Sequence, residues 1–291
     1  TEDQLSDRSI ALNKERFNGK SIYFQLYRNT QKWKSYLTYK DISPNFQADV
    51  GFVVKNNRRW ATLYHTYQLF PNKPAIQFFS IGTKADVLYT YQDYLKTVSI
   101  DGIISLKTLF NTEINYTYDW DAFKNFLGRN YKNLGSNRFE IQNNPSESFS
   151  MNINLTFGRD LAYNEEDPEI GKEFNFFIMP GFQVSNKLKI SPSIRYARLK
   201  KLDEDSYYYN GSITRFSIRY QFNNFFNIRL VSEYNSFTER FFVQPLIQWN
   251  PNPSTVFYIG GNQNSLNDFN DEFNPFFRVD QTQFFLKFQY L

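Results

Sequence analysis

The sequence predicts an all-β fold: a transmembrane, antiparallel, up-and-down β-barrel of about sixteen strands, with fourteen as the alternative count. Three observations predict it. Phe, Tyr and Trp make up 20% of the 291 residues, yet mean hydropathy is negative. Segment after segment alternates apolar and polar side chains with period two. The links between these segments alternate between short and long along the chain.

A soluble core draws mainly on aliphatic residues. A wall with one greasy and one wet face needs a different mixture: large aromatics on one side, and Asn, Gln, Ser, Thr, Lys and Arg on the other. No stretch approaches the ~18–20 uninterrupted apolar residues of a transmembrane helix. The opening residues, Thr1 to Arg8, are polar and charged, unlike a secretory leader. A barrel must be exported, so a leader removed or lying upstream is expected. Cysteine is absent, which excludes disulfides and thiolate metal sites. Net charge is +4 with 21% charged residues. That lacks the concentrated basic signature of nucleic-acid binding, and no nucleic-acid partner is expected.

Taken in order, strands are expected around Phe24, Leu37, Leu63, Phe79, Ile100, Ile114, Phe139, Ile153, Ile178, Ile194, Phe216, Leu230, Val243, Tyr258 and Leu286. Their lengths, roughly 9–13 residues, suit tilted membrane strands. The clearest is the eighth. Phe149, Met151, Ile153, Leu155 and Phe157 alternate with Ser148, Ser150, Asn152, Asn154 and Thr156. Successive strand side chains point to opposite faces, so this segment separates oil from water. In the ninth, Phe174, Phe176, Ile178, Pro180, Phe182 and Val184 form the apolar row. Ser185-Asn186 then makes a tight turn. Leu188, Ile190, Pro192, Ile194 and Tyr196 follow, alternating with Lys187, Lys189, Ser191, Ser193 and Arg195.

One end of the sheet is expected to carry short links near residues 29–31, 71–74, 143–147, 185–186, 223–224 and 250–253. The other should carry longer ones at 41–57, 121–136, 160–172, 200–210 and 262–275. Outer-membrane barrels have short periplasmic turns and longer extracellular loops, which places the C-terminus in the periplasm. A soluble sandwich is the alternative, but it has no reason to segregate its loops. Trp33, Trp60, Trp120, Trp249 and Tyr290 lie near strand ends, where interfacial girdles form. Pro180, Pro192 and Pro245 fall inside strands and predict bulges, because each removes a ladder donor. Fifteen strands is an odd count for a bacterial barrel, so a further strand is expected within residues 1–15, or one has been split or missed.

The stretch Asp41-Ile-Ser-Pro-Asn-Phe-Gln-Ala-Asp-Val-Gly-Phe52 has Asp41, Ser43, Pro44, Asn45, Phe46, Gly51 and Phe52 as its distinctive positions. With Asn18-Gly-Lys-Ser-Ile-Tyr-Phe, Glu233-Tyr-Asn-Ser-Phe and Gln248-Trp-Asn-Pro-Asn-Pro-Ser-Thr-Val-Phe-Tyr, it resembles the C-terminal barrel domain of a Bacteroidota family. The resemblance covers nearly the whole chain. In that family the barrel follows a domain similar to carbohydrate-binding module family 9. The resemblance therefore implies a barrel that anchors a binding domain. No such domain stands in this sequence, so no sugar-binding residue carries over. The chain ends at Leu291, whereas family members tend to run on to a terminal aromatic. A fragment is therefore expected.

His65 is the single histidine. It excludes a two-histidine metal site and leaves little for nucleophilic catalysis, so no catalytic residue, metal or cofactor is expected. Its strand has two plausible registers, which leaves its face open. The acidic runs at 164–167, 203–205 and 268–272 lack EF-hand spacing and read as solvated loop charge. The polar rows of the tenth to twelfth strands are more pointed. They carry Lys187, Lys189 and Arg195, then Arg215 and Arg219, then Arg229. Antiparallel pairing brings Lys187, Lys189, Arg219 and Arg229 toward the periplasmic end of the inner wall. Such a patch would bias a pore toward anions or grip an acidic plug; the alternative is a mixed-charge wall with internal ion pairs. The expected function is therefore an anchor or subunit of an outer-membrane complex, with a pore for small solutes as the alternative and an enzyme disfavoured. The expected partners are outer-membrane lipid and other outer-membrane or surface proteins.

Overall fold

The computed structural model describes residues 18–46, 55–71, 73, 75–163, 166–267 and 277–290. Fifteen strands occur among them, in one sheet whose order follows the chain from first to last, with no helix among the described residues. They are β1 (Ser21–Asn29), β2 (Trp33–Ile42), β3 (Arg58–Leu69), β4 (Ile76–Tyr89), β5 (Leu95–Thr108), β6 (Thr112–Phe126), β7 (Arg129–Ser146) and β8 (Phe149–Leu161). Then come β9 (Ile170–Gln183), β10 (Leu188–Lys201), β11 (Tyr207–Asn223), β12 (Phe226–Asn235), β13 (Arg240–Asn252), β14 (Thr255–Asn267) and β15 (Phe277–Tyr290). Every expected strand centre falls inside one of them. The count differs from the expected sixteen or fourteen, and the strand order has two ends, β1 and β15, rather than a closing pair. The strand sought in residues 1–15 lies outside the described residues.

The links bear out only part of the expected segregation. One end carries 30–32, 70–75, 109–111, 147–148, 184–187, 224–225 and 253–254, all short. The other end ranges from residues 43–57 down to two residues. The long loop expected at 121–136 is overturned: β6 and β7 run through it and join at Leu127-Gly128. Both turn residues have positive φ, 48° and 78°. That backbone twist matches the twist of the flanking strands, which makes a two-residue hairpin possible. Polarity suggested a loop, but the polar side chains bond along and across the hairpin. Lys124 reaches Asp121 at 3.0 Å, and the Asn125 amide donates to Asn130 Oδ1 at 2.7 Å.

The expected bulges at proline are also overturned. The pairs Ile178–Ile194 and Phe182–Ile190 keep one register on either side of Pro180 and Pro192. The two prolines therefore stand opposite each other, and a single gap in the β9–β10 ladder accommodates both. Pro245 pairs with Leu230 on one side. The β13–β14 ladder skips it between Val243–Gln263 and Leu246–Gly260, again without a shift.

The chain forms two compact units. One comprises Thr1–Leu109, Ile114–Arg138 and Gly158–Asp160. The other comprises Phe110–Glu113, Phe139–Phe157 and Leu161–Leu291. Both expose rows of large apolar side chains, and the first also buries polar ones. In the first, Ile22, Phe24, Leu26, Leu37, Leu63, Ile81, Ile100 and Ile104 are exposed, while Thr62, Thr66, Gln68, Ser80 and Asp86 are buried. In the second, Phe182, Ile194, Phe216, Leu230, Ile259 and Leu286 are exposed, and the buried side chains are mixed: Thr255 and Ser265 with Leu161, Leu199 and Val231. Register explains the rows. Leu188–Tyr220, Tyr220–Ile228, Ile228–Ile247, Ile247–Ile259 and Ile259–Leu286 are successive cross-strand pairs, so one apolar row runs across six strands.

Candidate functional site

The polar face of the second unit carries the predicted basic patch. Lys189 of β10 pairs with Arg219 of β11, which in turn pairs with Arg229 of β12. Like charges directly opposite each other on a sheet repel. None of the three has an ion-pair partner among the described residues. Arg229 Nη2 is 3.5 Å from Gln244 Oε1, and its Nε is buried without a partner. The remaining patch members separate from this row. Lys187 is exposed in the 184–187 turn, where its carbonyl accepts from the Gln221 backbone N–H at 2.8 Å. Arg215 pairs with Glu233 at 3.4 Å, so its charge is balanced. Arg195 stacks over the ring of Phe177, its direct cross-strand partner, at 5.2 Å. The expected patch of six is thus a row of three, one turn lysine, one ion-paired arginine and one stacked arginine.

Arg195 also lines a cleft of about 600 Å³ on the same face. Asn154 and Thr156 of β8, Asn175 and Phe177 of β9, Ala197 of β10, Tyr209 of β11 and Phe237 of the 236–239 link complete its main lining.

Sequence reasoning missed a charge cluster in the first unit. Tyr36, Tyr64, Lys84 and Asp101 form one row across β2 to β5, with Thr38, Thr62, Asp86 and Ser99 in the next. The Tyr36 and Tyr64 rings stack at 4.8 Å. Lys84 bonds closely to Asp86 and lies 3.5 Å from Asp101. Asp86 also accepts from Trp60 Nε1 at 2.9 Å and from Thr62 Oγ1 at 2.5 Å. Lys84 and Asp86 are two apart in one strand and therefore share a face; that spacing is the signal that was available. Asp119 and Arg138 form a further pair at 3.1 Å.

The Asp41–Phe46 part of the motif loop is structural. Ser43 is buried and exchanges bonds with Lys20: its N–H donates to the Lys20 carbonyl at 3.0 Å, and the Lys20 N–H donates to Ser43 Oγ at 2.8 Å. The Phe46 N–H closes a turn onto the Ser43 carbonyl at 3.1 Å. The Pro44 carbonyl accepts from the Asn56 amide at 2.5 Å. A Cβ at Gly19 would lie 2.4 Å from Phe46 Cα, so only glycine lets the Asn45-Phe46 backbone approach. Asp41 pairs across β2–β3 with Arg59, which salt-bridges Asp93 at 2.6 Å. Gly51 and Phe52 lie outside the described residues.

His65 sits on the apolar face with Leu63 and Tyr67. Ser35 Oγ is 2.6 Å from its Nδ1, and its ring stacks on Trp33 at 5.0 Å. Trp33 also packs on Tyr67 at 4.5 Å, giving an aromatic cluster beside the 30–32 turn. Among the described residues no group of three or more His, Cys, Asp or Glu side chains is placed to hold a metal ion. Two of the acidic loop residues pair with lysines: Glu204 with Lys201 at 3.1 Å and Asp205 with Lys200 at 2.5 Å.

No family model matches the chain, and no curated protein matches it.

Proposed function

We propose that this chain is an integral β-barrel of the bacterial outer membrane, with its C-terminus in the periplasm, acting as an anchor or subunit of an outer-membrane assembly. One observation carries the reading. Apolar side chains stand exposed in cross-strand rows, while Thr, Gln, Ser and Asp are buried on the opposite face. A soluble β-sandwich does the reverse. An alternating sheet with a lipid-facing apolar row and a polar interior accounts for both. Aromatics beside the 30–32 turn suit the membrane interface. The polar face supports the anchor role over simple conduction, because rings and ion pairs occupy much of it: Tyr36 with Tyr64, Lys84 with Asp86 and Asp101, Arg215 with Glu233.

Membrane fractionation and mild-detergent affinity isolation of the full protein test this. Recovery in the outer membrane, a heat-dependent shift in electrophoretic mobility and stoichiometric copurifying partners support it. Recovery in the soluble fraction would overturn it.

The Lys189–Arg219–Arg229 row favours a second reading, an anion-biased pore. Planar-bilayer reversal potentials after Arg219→Glu and Arg229→Glu decide it: the reading requires a shift toward cations, and unchanged selectivity removes it.

A further inference from the structure

The cleft in the second unit is built from its cross-strand rows. Asn175 pairs with Ala197, and Ala197 with Gly211. These small side chains make a floor. The neighbouring row holds Phe177 and Arg195, and the row beyond holds Leu199 and Tyr209. Small residues between rows of long ones leave a hollow. Phe237 closes one side by packing onto Gly211, where a Cβ would come within 2.8 Å of its ring. The 236–239 link is fixed in that position: the Ser236 N–H donates to the Ser212 carbonyl at 2.9 Å, and the Ser212 N–H donates to Ser236 Oγ at 2.6 Å.

The chemistry of the lining is specific. Arg195 has no carboxylate partner among the described residues; its guanidinium is held against Phe177. The Asn175 amide nitrogen is committed to Glu173 at 2.5 Å, and its Oδ1 is buried without a partner. Asn154 and Thr156 add an amide and a hydroxyl, and Phe177, Tyr209 and Phe237 add flat apolar surface. A cleft of this size with few convergent polar groups has the character of a small-molecule site.

We infer that this cleft binds a small organic acid with a planar apolar body, its carboxylate on Arg195 and a hydrogen-bond donor at its far end toward Asn175. A guanidinium fork matches a carboxylate. A donor at Asn175 satisfies the orphaned acceptor and is favoured by the nearby Glu173. The aromatic walls take the flat body. None of this depends on the sheet crossing a membrane, so failure here leaves the fractionation result untouched.

The test uses the full protein, purified in mild detergent and titrated calorimetrically with 4-hydroxybenzoate, benzoate and methyl 4-hydroxybenzoate. 4-Hydroxybenzoate should bind saturably. The ester, which lacks the charge, and benzoate, which lacks the donor, should each bind at least about tenfold more weakly. Arg195→Gln should lose about tenfold or more. Ala197→Leu fills the hollow without touching a polar group and should abolish binding, with thermal unfolding confirming that each variant is folded. Absence of saturable 4-hydroxybenzoate binding, equal binding of the ester, or undiminished binding by folded Ala197→Leu overturns the inference.

Discussion

Arg219 on β11 stands directly opposite Arg229 on β12, and the two share the polar face with no carboxylate between them among the described residues. Lys189 extends the row on the other side of Arg219. Directly opposed like charges cost roughly 0.2–1 kcal/mol per pair. Arg219→Glu converts two repulsive neighbours into two attractive ones. The expected outcome is a more stable protein, by about 1 kcal/mol, seen as a later denaturant midpoint at unchanged slope. Raising the salt concentration should narrow the gap between variant and parent, because exposed charges are screened.

Asp86 has the opposite character. It receives Lys84, Trp60 Nε1 and Thr62 Oγ1 on a largely buried carboxylate. Asp86→Ala leaves all three groups without that partner. Removing one member of a buried pair costs about 3–5 kcal/mol. Lys84 keeps Asp101 at 3.5 Å, so the lower end of that range is expected. Asp101→Asn, which spares the Asp86 contacts, should cost less. Equilibrium unfolding of the two variants side by side checks the order.

How far these sites were legible follows from what each requires. The Arg219–Arg229 part of the basic row could be read because the 224–225 turn that joins β11 to β12 is short, and short turns leave little freedom in register, whereas Lys189 meets Arg219 across the longer 202–206 link. Lys84 and Asp86 share a face by spacing alone, and that signal was passed over; bringing Asp101 to them needed a register across residues 90–94, where no tight-turn signature stands. His65 beside Tyr64 gives two side chains acceptable on either face; only the pairing of Ser35 with His65 decides it. The 121–136 hairpin was missed because composition, not period, guided the reading there. The prolines misled for a different reason. Each alone demands a bulge, but Pro180 and Pro192 stand opposite each other and share one interruption.

The two faces make a paired test of membrane insertion. Ile194 and Ser193 are adjacent on β10 and point to opposite sides. Ile194 is 44% exposed on the apolar face. An arginine on the lipid-facing side of a barrel strand near the bilayer midplane costs about 2–4 kcal/mol. Ile194→Arg should therefore cut folding yield into lipid vesicles, scored as the heat-modifiable fraction, whereas Ser193→Arg should have a much smaller effect. Equal losses from both variants would contradict the assignment of faces.

The 202–206 link makes a pH-dependent tether that can be followed without disturbing the strands. Ser206 Oγ donates to Glu204 at 2.8 Å, and Lys201 adds an ion pair at 3.1 Å. The Ser206 hydrogen bond and then Lys201 hold the Glu204 carboxyl below its ordinary range. Lys200 holds Asp205 below its range in the same way. A group whose folded pKa is depressed contributes order that is complete above its unfolded pKa and lost as pH falls through the folded one. The link should therefore stay fixed at neutral pH and release only below the usual carboxylate range. Because the chain has no cysteine, Leu202→Cys supplies a single attachment point for a nitroxide label. Its spectrum should remain broad down to about pH 5 and sharpen as the medium is made more acidic. Adding Lys200→Gln and Lys201→Gln should produce the mobile spectrum already at neutral pH.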